Sequence, residues 1–162
     1  MKKFVCALLA LALVFSLAAC GNSSASSSGS AQTYPGDEMS VSEIKDKVLE
    51  GLNGLPMLGD IEPDAESFEY YAFVPYQEGV ECIVSEAMIS AIAHSMVILR
   101  APDAETAQSM AQQIEANANP AKWICVEAEK TIVSVHGSTV LLIMSSADTA
   151  DAIADNFNAL WK

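Results

Sequence analysis

The sequence predicts an α+β domain, a two-layer sandwich in which helices pack on a largely antiparallel sheet. Apolar residues recur at helical spacing in three segments, which begin near residues 41, 104 and 147. Short apolar runs bounded by Gly or Pro lie between these segments, as expected of strands. Two of the runs, 131–135 and 139–144, are separated only by the tight turn His136-Gly137-Ser138, so they predict a hairpin and therefore antiparallel pairing.

The N-terminus has the layout of a secretory signal peptide. A cationic start, Met1-Lys2-Lys3, precedes an apolar run from Phe4 to Phe15, and small residues follow. Cys20 comes directly after Leu17-Ala18-Ala19, which resembles the lipobox of bacterial lipoproteins. This resemblance implies cleavage between Ala19 and Cys20 and a lipid on the Cys20 thiol. It places the chain on the outer face of the cytoplasmic membrane, most naturally in a Gram-positive bacterium.

A plain signal peptide and a membrane-spanning helix are the alternatives to a lipid anchor. Only 17 residues run from Phe4 to Cys20, and a polar, Ser-rich stretch follows. A spanning helix needs ~20 apolar residues, so the lipid anchor is favoured. The chain then divides into a signal peptide at 1–19, a lipidated cysteine with a flexible Ser-rich tether at 20–39, and a single domain at 40–162.

The mature chain is strongly acidic. The full sequence has 8 Lys and Arg against 21 Asp and Glu, and loss of Lys2 and Lys3 leaves 6 against 21, a net charge of −15. Such a field repels nucleic acid and anionic lipid headgroups. We therefore expect no nucleic-acid partner, and contact with the membrane only through the lipid at Cys20. The acidity itself indicates solubility more than a dedicated cation site.

The first predicted helix begins with a capping box, because Ser40 is followed three residues later by Glu43. Its apolar face carries Val41, Ile44 and Val48, and Lys45 is expected on the solvent side.

The segment after this helix predicts a loop and a hairpin. An acidic loop over 60–66 should be solvated. The aromatic run 68–74, ended by Pro75, predicts an edge strand paired with a strand over 80–85. Its rings are interpreted as core and edge packing, with a sugar-stacking surface as the alternative.

The second half predicts the rest of the sheet and two more helices. Met96-Val97-Ile98-Leu99 is apolar on both faces, so it predicts a central, covered strand. Asp103 caps a helix that ends at Asn119-Pro120, and residues 124–127 form a weaker strand candidate. The last helix starts at Ser145 or Ser146.

Two cysteines remain in the predicted domain, Cys82 and Cys125, since Cys6 leaves with the signal peptide and Cys20 is lipidated. Both lie in apolar, strand-like runs. A disulfide outside the cytoplasm and two buried free thiols are equally compatible with this pattern.

Two stretches resemble an uncharacterised family of Gram-positive lipoproteins, the domain of unknown function numbered four-three-five-eight. They are Val84 to Ala101, followed by the Asp103 helix, and Gly137 to Met144, followed by the acidic last helix. The resemblance covers about Ser40 to Leu160. It implies no activity and no catalytic residues, because the family has none assigned.

The sequence contains no motif of a hydrolase, a nucleotide site or a metal site. Its two histidines, His94 before the central strand and His136 at the hairpin tip, are interpreted as a boundary residue and an exposed turn residue. We therefore expect no catalytic residue, metal or cofactor, and take His94, Glu81 and Glu86 as candidate binding residues.

These observations favour a non-enzymatic binding module at the cell surface, for an envelope protein or a small cationic ligand. The alternative is a cell-envelope hydrolase acting on wall or peptide fragments with Glu81, Glu86 or His94 in a cleft. Metal binding by carboxylates together with His94 is a third, weaker hypothesis.

Overall fold

The computed structural model describes residues 33–162. The predicted signal peptide, the cleavage and lipidation site at Ala19 and Cys20, and most of the tether lie outside the described residues. No helix in the described range is long and apolar enough to cross a membrane. The elements follow in the order α1 Pro35–Glu38, α2 Val41–Leu49, β1 Leu58–Ile61, α3 Phe68–Ala72, β2 Glu81–Ala87, β3 Ser95–Arg100, α4 Ala104–Asn117, β4 Lys130–His136, β5 Thr139–Ser145 and α5 Ala147–Ala159.

The five strands form one sheet in the order β1-β2-β3-β5-β4, and all neighbouring strands are antiparallel. The register places Val84, Val97, Leu142 and Val133 side by side across the four strands from β2 to β4. The predicted central strand is confirmed, because β3 lies in the middle of the sheet and is buried from Ser95 to Leu99. The predicted hairpin of β4 and β5 is confirmed as well.

Helices pack on both faces of the sheet. Alternating strand side chains point to opposite faces, so Val97 and Leu142 meet α3 and α4 on one side, whereas Ile98 and Ile143 meet α2 and α5 on the other. The predicted α+β class, with helices packed on an antiparallel sheet, is confirmed. The helices on the second face add a layer to the two that the sequence predicts.

The predicted helix starts are also confirmed. Ser40 and Glu43 form a reciprocal capping box, in which Glu43 N donates to Ser40 Oγ at 3.2 Å and Ser40 N donates to Glu43 Oε2 at 2.8 Å. Asp103 Oδ1 accepts a hydrogen bond from Thr106 N at 2.7 Å at the start of α4. Each of these caps satisfies backbone donors that a first helical turn leaves free.

The predicted edge strand at 68–74 is wrong, because this segment is helix α3. Phe68 and Ala72, four residues apart, are buried on the same side of the helix. Ser67 N donates to Asp64 Oδ1 at 2.8 Å just before the helix starts. The helix stops at Phe73, whose backbone is left-handed with φ of 59°. Local side-chain packing and turn hydrogen bonds therefore override the strand preference of the aromatic residues.

The edge strand beside β2 is β1, and it falls partly in the predicted acidic loop. Asp60 lies opposite Ser85, and Ile61 lies opposite Val84. Gly59 and Asp60 are residue types depleted in strands, which hid this edge strand from the sequence pattern. Lys45 is buried rather than solvent-facing, because Lys45 Nζ lies 2.5 Å from Asp60 Oδ2 and 2.6 Å from Asp46 Oδ1.

The weaker strand candidate at 124–127 is also wrong. Residues 118–129 connect α4 to β4 without helix or strand, and the Ile124 side chain is fully exposed. Trp123, just before this run, packs against the core on the α4 side.

Candidate functional site

The structure does not gather the three candidate binding residues into one cleft. Glu81 pairs with Arg100 at the first end of β2, and Glu86 pairs with Ser95 near the other end. Five positions separate them, so their side chains also point to opposite faces of the sheet. His94 immediately precedes β3 and lies beside Ser145. A hydrolytic pair made of the two glutamates is therefore not assembled.

His94 is buried, with 1% of its surface exposed. His94 Nδ1 lies 3.0 Å from Ser145 Oγ, and His94 Nε2 has no hydrogen-bond partner. Burial lowers the pKa of His94 to about 4, although the charge of Glu86 acts in the opposite direction. The imidazole is therefore neutral at neutral pH, and its burial keeps it out of contact with a substrate.

His136 is half-buried, where the sequence predicts an exposed turn residue. Its ring stacks on Trp161 with the centroids 4.9 Å apart and an interplanar angle of 7°. His136 Nε2 lies 2.9 Å from Asn158 Oδ1. The β4–β5 turn is thereby joined to the end of α5, which gives His136 a structural role.

Glu86 does belong to a polar cluster, but its partner is a lysine. Lys122 Nζ forms an ion pair with Glu86 Oε1 and donates a hydrogen bond to Ser95 Oγ at 3.1 Å. The Lys122 side chain is 5% exposed and that of Glu86 is 18% exposed. This lysine therefore has its charge and part of its donor capacity satisfied inside the fold.

Four aromatic rings surround the same ammonium group. Its distance to the ring centroids is 5.3 Å for Tyr70, 5.4 Å for Tyr71, 5.9 Å for Phe73 and 5.3 Å for Trp123. Each ring lies within the ~6 Å at which a cation is attracted by an aromatic face. We call these four rings, with Glu86 and Ser95, the Lys122 cage.

The Lys122 cage combines segments that are far apart in sequence. Tyr70, Tyr71 and Phe73 come from α3 and its end, the region predicted as a strand. Phe73 holds its left-handed backbone, which costs a non-glycine residue on the order of 1–3 kcal/mol. Phe68 of the aromatic run lies in the core, and Tyr71 and Phe73 pack against it partly buried, as the packing interpretation expected. The adjacent Lys122-Trp123 pair was the one sequence signal for a cation–π site.

A second feature lies at the same end of the sheet as Glu86. The start of β1 and the turn from β2 to β3 expose four apolar side chains, which we call the tip. Met88 N donates to Met57 O at 2.9 Å, and Ile92 N donates to Ile89 O at 3.2 Å, so these residues lie close together. The exposed fractions are 75% for Met57, 64% for Met88, 56% for Ile89 and 38% for Ile92.

The tip continues toward the α4–β4 connection. Residues 91–93, 126, 127 and 129, with Ser146, line a shallow cavity of about 260 Å³. Glu127 and Glu129 belong to this cavity, so acidic groups border the apolar surface. A larger cavity of about 510 Å³ lies along α2 between residues 39 and 50 and includes none of the predicted site residues.

The N-terminal residues of the fold lie at the opposite end of the sheet. Arg100 donates hydrogen bonds to Met39 O at 2.6 Å and to Gly36 O at 2.9 Å. Trp161 Nε1 donates to Asp37 Oδ1 at 2.8 Å. Residues 34–39, which the prediction assigns to the tether, are therefore docked on the domain beside the β4–β5 turn.

Neither cysteine of the domain forms a disulfide. Cys82 is partly buried and Cys125 is exposed. Burial raises the pKa of the Cys82 thiol to about 12, so this cysteine is not a nucleophile near neutral pH. Within residues 33–162, no group of three or more His, Cys, Asp or Glu side chains is placed to hold a metal ion.

The arrangement supports recognition of cations and apolar groups better than it supports bond cleavage.

Comparisons with models of protein families, with curated proteins and with solved structures found no match for this chain. The resemblance to the uncharacterised lipoprotein family therefore stays a prediction from the sequence.

Proposed function

We propose that this chain is a lipid-anchored interaction module on the outer face of the bacterial cytoplasmic membrane, and that it binds a basic envelope protein through its tip. The observation that carries the proposal is the position of the tip at one end of the sheet, opposite the end at which residues 34–39 are docked. The resemblance of residues 17–20 to a lipobox supplies the anchor.

This polarity would direct the tip away from the membrane. A tether from Cys20 to residue 33 would have a root-mean-square reach of ~20 Å if it behaves as a flexible chain. It would join the domain beside the β4–β5 turn. The tip lies beyond the far end of the sheet, ~17 Å away for a strand the length of β3. Exposed apolar groups there would meet an envelope protein before they meet lipid.

The charge of the domain defines the partner's chemistry. Of the 6 Lys and Arg in the mature chain, Lys45, Arg100 and Lys122 are engaged inside the fold. Lys45 and Lys122 each cancel a carboxylate, whereas Arg100 is bound by backbone carbonyls and Thr139 Oγ1, so the charges left at the surface are strongly acidic. Glu127 and Glu129 border the tip. A partner with basic residues around an apolar patch would be complementary in both respects.

The hydrolase alternative gains no support from the placement of Glu81, Glu86 and His94. Glu86 is neutralised by Lys122, His94 is buried, and Glu81 lies at the far end of β2. A general acid or base needs to reach a substrate proton directly or through one water.

The test is photo-crosslinking in living cells from a single position on the anchored chain. A photoreactive residue in place of Ile89 reports on the tip, and the same residue in place of the exposed Glu78, before the first end of β2, is the matched control. We expect one envelope protein to be captured from position 89 and not from position 78. Its crosslinked peptide should contain both apolar and basic residues.

Two further variants make the outcome decisive. Met57→Ser with Met88→Ser should abolish the crosslink while changing the free energy of unfolding by less than about 0.5 kcal/mol, because both side chains are exposed. Cys20→Ala should reduce the crosslink by releasing the chain from the membrane. Equal capture from positions 78 and 89, or capture that survives the double serine variant, would contradict the proposal.

A further inference from the structure

The Lys122 cage has the composition of a cation-recognition site, yet it is filled by a residue of its own chain. Aromatic faces attract the positive charge, and Glu86 supplies the opposite charge. Glu86 Oε1 and Ser95 Oγ also accept hydrogen bonds from the ammonium group. A quaternary ammonium has no N–H to donate to these acceptors, so the cage suits a primary alkylammonium group.

The occupant lies on the least regular part of the described chain. Residues 118–129 form neither helix nor strand. Ile124 and Cys125, just after the lysine, are exposed. The backbone of this segment is held by hydrogen bonds within it, from Lys122 N to Asn119 O at 3.1 Å and from Ala128 N to Pro120 O at 2.9 Å. Movement of this segment would not disturb the hydrogen bonds of the sheet.

The cage also has a wall that faces solvent. Tyr70 is 61% exposed, and its ring meets that of Tyr71 edge to face, with centroids 4.9 Å apart. Glu86 lies one residue before the end of β2, directly before the segment that forms the tip. A ligand bound at the tip could therefore reach the cage with one flexible side chain.

We propose that the Lys122 cage binds a primary alkylammonium group, a lysine side chain of the basic partner, and that Lys122 occupies the cage as an internal competitor until that side chain displaces it. The assignment rests on the proposed function for the identity of the partner. The composition of the cage defines the chemical class of the ligand independently of it. Displacement exchanges one ammonium group for another, so the half-buried Glu86 keeps its counter-charge throughout.

Internal competition has a measurable consequence. If Lys122 fills the cage nine-tenths of the time or more, a free ammonium ligand binds the wild-type chain at least about tenfold more weakly than a chain that lacks the lysine. Removal of the competitor should therefore strengthen binding. If Lys122 were only structural, its removal would still open a pocket beside Glu86, but the wild-type chain would show no saturable ammonium binding.

The experiment uses the mature chain from residue 20 with Cys20→Ser, titrated with n-butylammonium chloride and followed by the indole N–H signals in NMR spectra. The chain has two tryptophans. Trp123 is a wall of the cage, and Trp161 lies in the core on the other face of the sheet, so it is an internal control. Sodium chloride controls for ionic strength, and tetramethylammonium chloride tests the preference for a primary ammonium.

In the Lys122→Ala variant, we expect saturable shifts of Trp123 alone, with affinity for n-butylammonium at least about tenfold above that of the wild type. Tetramethylammonium should bind more weakly. The further change Glu86→Gln should weaken binding again. Equal affinities in wild type and variant, shifts of both tryptophans alike, or a preference for tetramethylammonium would overturn the assignment.

The variant could lose its folded state, which near-UV circular dichroism detects. In that case the wild-type titration decides, and the absence of a saturable Trp123 shift overturns the assignment. The two proposals fail separately. Capture at position 89 without ammonium binding removes the cage assignment alone, and ammonium binding without capture at position 89 removes the protein partner and leaves a site for a free amine.

Discussion

Buried charged side chains each have a defined set of partners in this domain. For Lys45, burial lowers the pKa, but hydrogen bonds to Asp46 and Asp60 outweigh it and the pKa is raised. Arg100 donates to two backbone carbonyls and to Thr139 Oγ1. A buried charge without such partners would cost several kcal/mol. The few cations of the chain thus fasten α1 and α2 to the sheet.

His94 is buried in its neutral form, and this predicts a pH dependence of stability. Its pKa is about 4 in the folded chain, below its ordinary value of 6.5, so the unfolded chain binds more protons between these values. The contribution of neutral His94 is fully present above pH 6.5 and is lost as the pH falls toward 4. From about pH 7 to pH 5 we expect the free energy of unfolding to fall by about 2 kcal/mol from this residue.

Urea denaturation at both pH values measures this loss, with His94→Asn as the comparison. An asparagine amide can replace Nδ1 toward Ser145 Oγ and does not titrate in this range. The variant should lose most of the pH dependence, whereas the matched His136→Asn should keep it. An unchanged slope in the His94 variant would show that the histidine does not carry the effect.

At the scale of single elements, the capping box of α2 predicts a local stability effect. Ser40→Ala removes the acceptor of Glu43 N and should lower the free energy of unfolding by about 1 kcal/mol. Ser42→Ala, two residues later on the same helix, is the control and should be close to neutral or slightly stabilising. The urea midpoint measures both, and a loss as large for Ser42 would contradict the role of the cap.

Elements with strong local signals were predictable from the sequence. The caps at Ser40 and Asp103, the helical apolar spacing and the turn at His136 each act within a few residues, and all are confirmed. The helix in the aromatic run 68–74 was not predictable in this way. The strand preference of aromatic residues depends on packing against a neighbouring strand, and this segment has none. The edge strand β1 was hidden because its partners lie about 25 residues away, at 84–87.

At the scale of the whole molecule, the candidate site depends on contacts that no local pattern shows. The Lys122 cage joins residues 70–73, 86, 95 and 122–123. The sequence indicated Glu86 as a binding residue, but it did not show that a lysine of the same chain meets it. The strand order is likewise needed to see that the tip and the docked residues 34–39 lie at opposite ends of the sheet.

The two cores share one sheet, and this predicts a single unfolding transition. Leu142 and Ile143 are adjacent in β5, yet one packs toward α4 and the other toward α2 and α5. Neither core can open without disrupting strands that the other needs. Trp123 reports on the first face, and Trp161 reports on the second.

Variants with a single tryptophan separate the two reports. In Trp161→Phe, fluorescence follows Trp123, and in Trp123→Phe it follows Trp161. Within each variant, the urea transition by fluorescence should coincide with that by far-UV circular dichroism, which senses the whole backbone. A fluorescence midpoint well below the dichroism midpoint in one variant would mean that its face melts independently. Coincidence is expected because the central strands β3 and β5 contribute side chains to both cores.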